Sequence, residues 1–166
     1  KGGQRLAFEI MNIAGEQERL QILSFIQRQW KEIGADAQIK NVDVGTMFGQ
    51  ALPKRTFAMA YSFVGRNADP EMSSLFLSPD LKPPGNYAGY ANPELDKILL
   101  ASSQTADLEK RKELLFKAQD VVAEDEVNLF LAWLTNHSAL SKKLQGYKPA
   151  PAYTEFWNAE DWWLAS

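Results

Sequence analysis

Apolar and polar residues alternate along Arg5-Leu6-Ala7-Phe8-Glu9-Ile10, the two-residue period of a half-buried strand. From Gly15 onward the period changes. Leu23, Ile26, Trp30 and Ile33 recur at three- and four-residue spacing, with Arg19, Gln27 and Lys31 off that stripe, which predicts a long amphipathic helix. Gly34 stands where a left-handed stop is expected. Alternation then returns over Ala35 to Val42, with Ala35, Ala37 and Ile39 set against Asp36, Gln38 and Lys40. Such a strand–helix–strand unit predicts two parallel strands joined by a right-handed crossover.

A short helix is expected over Val44 to Leu52, ending before Pro53. The run from Phe57 to Val64 is apolar almost throughout, as in a central strand covered on both faces. A loop-rich stretch follows, with one short helix expected near Glu71 to Leu77. Asn92-Pro93 marks a helix start, an N-cap followed by proline at the first helical position, and Leu95, Ile98 and Leu99 form its buried stripe. Asp107 is placed to cap the next helix, with Leu108, Leu115, Ala118 and Val122 as its stripe. Val127 to Leu134 reads as a further buried strand, and Ala139-Leu140-Ser141 as a short hairpin partner. The pattern predicts an α/β chain, a mixed and mostly parallel sheet flanked by helices.

Composition narrows the function classes. At 166 residues the chain has the length of one domain, and 45% hydrophobic with 23% charged residues is ordinary for a globular protein. A net charge of -3 with scattered Lys and Arg argues against a nucleic-acid partner, which needs a basic face. The absence of cysteine excludes a disulfide scaffold, thiolate metal ligation and a cysteine nucleophile. His137 is the only histidine, with no Gly-x-Ser-x-Gly or paired-histidine spacing, so neither a triad nor a metal site is expected. Glu124-Asp125-Glu126 are adjacent residues that diverge on a helix, which makes a solvated helix end of them and not an acid–base pair. Gly2-Gly3 precedes a strand instead of following one, so no nucleotide cofactor is expected.

Two loops carry ligand-type chemistry. Phe63-Val64-Gly65-Arg66-Asn67-Ala68-Asp69-Pro70 leaves the carboxyl end of an expected strand, where open α/β sheets place ligands. Asp69 has a second reading there, as the cap of a helix beginning at Pro70. Pro84-Gly85-Asn86-Tyr87-Ala88-Gly89-Tyr90 offers a similar mixture of glycine, tyrosine and amide. The candidate ligand-binding residues are Tyr61, Phe63, Arg66, Asn67, Asn86 and Tyr87, with no catalytic or metal-binding residue among them. Three of the five tryptophans, Trp157, Trp162 and Trp163, crowd into the last ten residues with no periodicity that assigns them a face; they either wrap over the chain's own surface or pack on a part of the protein outside this chain.

Taken in order, several segments resemble the carboxyl-terminal lobe of the peptide/nickel-type (family 5) extracellular solute-binding proteins of ABC importers. They are Lys1 to Leu6, Ile26 to Gly34, Arg55-Thr56-Phe57-Ala58-Met59, Asp69-Pro70, Asn86 to Tyr90, Asn92-Pro93-Glu94-Leu95-Asp96 and Arg111 to Gln119. The resemblance implies a periplasmic-binding-protein-like lobe over residues 1–147, which supplies half of a cleft in a periplasmic or extracellular protein. That protein would close around a small solute and deliver it to an ABC permease in the membrane, without being an enzyme. It also implies that residues 148–166 pack on an amino-terminal lobe outside this chain, so that the isolated chain would self-associate through its aromatic tail. Peptide-binding members often carry an aspartate three positions before the Asp-Pro, paired with the ligand's amino group. Arg66 stands there instead, and a guanidinium repels ammonium and accepts no hydrogen bond. An anionic solute, a sugar or a modified peptide is therefore expected. The alternative readings are a sensor that binds a solute without importing it, and a small α/β hydrolase or transferase.

Overall fold

The computed structural model describes residues 6–63, 69–82, 84–132, 137–149 and 156–166. They form two compact units, one of residues 6–63 with 85–90, the other of the remaining described residues.

The first unit is an α/β layer structure. Strand β1 (Leu6–Ile13) pairs in parallel with β2 (Ala35–Val42) over eight residues, from Leu6 opposite Ala35 to Ile13 opposite Val42. Helix α1 (Gln17–Glu32) forms the crossover between them. It ends where Gly34 takes φ +89°, a left-handed conformation that costs glycine nothing. The alternation in β1 decides its two faces. Ile10 packs with Leu23 of α1 and Ala37 of β2, joined by Phe8, Trp30, Ile39, Met59 and Tyr61. Met11 and Ile13 point the other way, onto Met47, Ala51 and Leu52, with Phe48, Phe57 and Tyr87 packed around them. The parallel, helix-flanked arrangement expected from the sequence is the one observed.

The apolar run from Phe57 to Val64 is not the central strand. Only Met59–Ala60 form strand β3, and the order β2-β1-β3 puts β1 in the middle. Its apolar character comes from packing as loop and edge: Phe57 and Ala60 adjoin one core, Met59 and Tyr61 the other. The helix after β2 also runs further than expected. It passes from α2 (Val44–Thr46) through a π turn (Met47–Ala51) into α3 (Leu52–Lys54), with Pro53 inside it. Proline is tolerated because it stands in the first turn after the π segment, where its missing N–H breaks no α-type bond. Arg55 then closes the helix in the left-handed region at φ 54°.

In the second unit, α4 (Ser73–Phe76) precedes α5 (Pro93–Gln104) and α6 (Leu108–Glu124), which pack against each other. Both expected caps are present. Asn92 accepts from the Glu94 and Leu95 amides, and Asp107 from those of Glu109 and Lys110. Leu95, Leu99, Leu115, Ala118 and Val122 are buried as the periodicity requires, whereas Leu108 at the first turn is exposed. Residues 127–132 form no strand, and Leu129, Phe130 and Leu131 are exposed instead of buried. The hairpin expected at Ala139 is displaced. Strand β4 (Leu144–Gln145) pairs antiparallel with β5 (Trp163–Leu164), which brings the aromatic tail back onto the 140s.

Candidate ligand site at the strand ends

The carboxyl ends of β1 and β2 meet the amino end of α1 in the first unit. Asn12, which follows Ile10 on the same face of β1, stands there in place of a hydrophobic side chain. It is 1% exposed, and its Nδ2 donates to Asn41 Oδ1 at 2.9 Å. Its own Oδ1 is buried without a partner among the described residues. An unpaired buried acceptor costs about 1–3 kcal/mol, so the position is chosen against stability. Beside it lies an open cavity of about 290 Å³ lined by Asn12, Gly15, Glu16, Gln17, Leu20 and Asn41. A larger hollow of about 500 Å³ runs along the outer side of α1. Its lining residues, from Gln17 to Arg28, all come from that one helix, so no second element closes it.

Next to the cavity a cation and two rings are stacked. Arg19 Nε pairs with Glu16 Oε2 at 2.7 Å. Its guanidinium lies over Phe63 at 4.8 Å and Tyr61 at 5.8 Å from the ring centroids. Phe63 in turn meets Phe48 edge-on at 6.3 Å. Arg19 Nη1 is buried with no partner among the described residues. Phe63 remains exposed, so the stack presents an aromatic face to solvent.

Of the six residues proposed from the sequence, Tyr61 and Phe63 are brought together by Arg19. Arg66 and Asn67 lie outside the described residues. Asn86 is committed to the fold of its own loop, and Tyr87 is half-buried against the Met11–Met47 core. Asn86 is buried, donates to Tyr90 O at 2.7 Å and accepts from the Tyr90 amide at 3.1 Å. Arg55 Nη2 donates to Asn86 O at 3.2 Å, and its guanidinium lies against Gly89, where a Cβ would meet it at 3.3 Å. Asn12, Asn41, Glu16 and Arg19 were missed by motif reasoning. The available signal was a polar residue interrupting the apolar run Ile10-Met11-Asn12-Ile13.

Asp69 belongs to the second unit. It accepts from the Glu71 amide at 3.0 Å and from Arg111 Nη2 of α6 at 2.7 Å. The Arg111 hydrogen bond holds its carboxyl below the usual aspartate range. A lowered folded-state value gives stability that is complete above the ordinary carboxylate pKa and lost as pH falls through the lower one. Asp69→Asn should therefore destabilise the chain by a constant, small amount above about pH 4, shrinking below it, in pH-dependent urea unfolding. His137 and the 124–126 carboxylates are exposed, and Asp125 accepts from Asn92 Nδ2 at 2.9 Å. Among the described residues no group of three or more His, Asp or Glu side chains could hold a metal ion.

No family model matches the chain. It is 28% identical to the oligopeptide-binding protein AppA of Bacillus subtilis, across 99% of its own length and 30% of that protein's. It is 31% identical to the glutathione-binding protein GsiB of Pectobacterium atrosepticum, across 78% of the chain and 27% of the relative. The structure of AppA from Bacillus subtilis in complex with a nonapeptide superposes on all of the chain with a TM-score of 0.85. The chain belongs to the peptide- and nickel-type solute-binding proteins. The family fold is shared further afield. NikZ from Campylobacter jejuni in complex with Ni(L-His) is 23% identical, with a TM-score of 0.77 over 98% of the chain. The chain spans about 30% of the length of its curated relatives.

Proposed function

We propose that this chain is the carboxyl-terminal lobe of a solute-binding receptor outside the cytoplasm, serves an ABC importer, supplies half of the ligand cleft and catalyses no reaction. The observation that carries the reading is the strand-end site, where a buried, unpaired Asn12 acceptor adjoins an open cavity and the Arg19–Phe63–Tyr61 stack. A core gains nothing from such an acceptor, whereas a ligand can complete it. The relatives named above bind oligopeptides and glutathione, which makes a peptide-like solute the first class to test. Among the described residues no helix is long and apolar enough to cross a membrane.

Tyr61 and Phe63 offer ring faces to the solute, while Arg66 and Asn67 fix polar groups and Asn86 and Tyr87 hold the neighbouring loop. In the full-length protein, a thermal-shift screen of peptides, glutathione, oligosaccharides and metal–histidine complexes should find a solute that raises the melting temperature. Phe63→Ala or Arg66→Ala should then weaken that solute about tenfold, or about 1.4 kcal/mol. A full-length protein that no solute stabilises would sink the reading. Unchanged affinity in either variant removes that residue from the site.

Residues 148–166 serve to cover a surface of the parent protein. Phe156, Trp163 and Leu164 are exposed in this chain, as are Leu129 and Phe130. Exposed apolar area on this scale drives association. The 166-residue chain should elute as dimers or larger species and the full-length protein as a monomer. A monomeric isolated chain would show that the tail needs no further cover.

A further inference from the structure

The strand-end cavity has a polarity that selects among ligand groups, and this inference rests on the solute-binding reading above. Inside it, Asn12 Oδ1 is an acceptor with no donor among the described residues. At its rim, α1 begins without a side-chain cap: Glu16 occupies the N-cap position and makes no capping hydrogen bond. The first-turn amides of a helix are donors without intrahelical acceptors, so this edge of the cavity is donor-rich. Charge is balanced between the two. Glu16 is the only ionisable residue in the lining, and its carboxylate is paired with Arg19 at 2.7 Å. No cationic side chain lines the cavity.

A carboxylate there would set its oxygens against Asn12 Oδ1 and beside the Glu16 carboxylate, and Arg19, which stands next to the cavity and not in its lining, already pairs with Glu16 through Nε. An ammonium group would satisfy Asn12 but oppose the positive end of α1 and leave the uncapped amides unmet. An amide matches both sides, its N–H directed to Asn12 Oδ1 and its carbonyl to the first turn of α1. We infer that the cavity formed by Asn12, Asn41, Gly15, Glu16, Gln17 and Leu20 takes an uncharged amide group of the solute and rejects a terminal carboxylate or amine. A peptide would therefore lie across this corner by an internal peptide bond or a side-chain amide, with its charged ends elsewhere.

Three probes of one size separate the possibilities: propionamide, sodium propionate and propylammonium chloride, at matched ionic strength, on the full-length protein and on Asn12→Leu. Propionamide near 100 mM should raise the melting temperature by on the order of 2 °C in the wild type and not in Asn12→Leu, with neither ionic probe doing so. An equal or larger Asn12-dependent rise with propionate or propylammonium overturns the assignment, and so does the absence of any Asn12-dependent rise. If Asn12→Leu does not fold, Asn12→Asp replaces it. A carboxylate in that place should move the preference from propionamide to propylammonium, and an unchanged preference is again a refutation. These failures would leave a solute found in the thermal-shift screen standing, whereas loss of the solute-binding reading would show as no stabilising solute at all.

Discussion

Leu99→Ala should lower the stability of the chain by about 2–5 kcal/mol in urea unfolding, the cost of emptying a filled core position. Leu99 is 0% exposed on α5, which packs against both α4 and α6 in the second unit. The loss has two parts, the transfer free energy of the deleted carbons and the cavity their neighbours fail to fill. Leu95, one turn earlier on the same stripe, is equally buried, so collapse around the gap is opposed from within the helix. The exposed Leu108 provides the internal comparison, since Leu108→Ala should fall within about 0.5 kcal/mol of the parent. Equal losses at the two sites would mean that the α5–α6 pairing is not a core.

Gly146→Ala should abolish the pairing of β4 with β5. Gly146 has φ +78°, and a Cβ there would stand 2.1 Å from the backbone carbonyl oxygen of Asp161. The left-handed backbone alone costs a non-glycine residue about 1–2 kcal/mol, and the overlap adds to it because the obstacle is main chain and cannot rotate away. Several bonds hang on that approach. Asn158 Nδ2 donates to Gly146 O at 2.7 Å, Trp162 Nε1 donates to Asn158 Oδ1 at 3.0 Å, and the Ala165 amide donates to Lys143 O at 2.8 Å. The Trp162 ring also packs against Tyr147, tilted, with centroids 5.6 Å apart. The variant should lose near-ultraviolet ellipticity from these rings and become open to proteolysis after residue 156, with α5 and α6 intact. A tail as protected as in the parent would refute the approach described here.

How much could be read from the sequence depended on whether a residue's role was local. The β1–α1–β2 unit was legible because periods of two and 3.6 residues are written in neighbouring side chains, and the caps at Asn92 and Asp107 because they act within three residues. The runs at 57–64 and 127–134 misled because an apolar run states that cover is wanted, not that a strand will pair there. Met59–Ala60 finds one strand edge, and Leu129 to Leu131 stay exposed. Pro53 reads as a stop unless the π turn before it is known. At the site, Tyr61 and Phe63 were visible as aromatic residues at the end of a strand run, whereas Asn12 and Arg19 gain their meaning from groups 29 and 42–44 positions away. No short motif contains such a distance.

The loop at residues 85–90 is claimed by the first unit although the chain on both sides of it belongs to the second. Its Tyr87 packs on the Met11–Met47 core, and its Asn86 carbonyl receives Arg55. During synthesis the first unit therefore cannot be finished when Phe63 leaves the ribosome. It must wait until Tyr90 has emerged, with the start of the second unit already made. A gene cut anywhere between these points would yield an open sheet layer with one wall missing, so neither unit can be obtained as an uninterrupted stretch of reading frame.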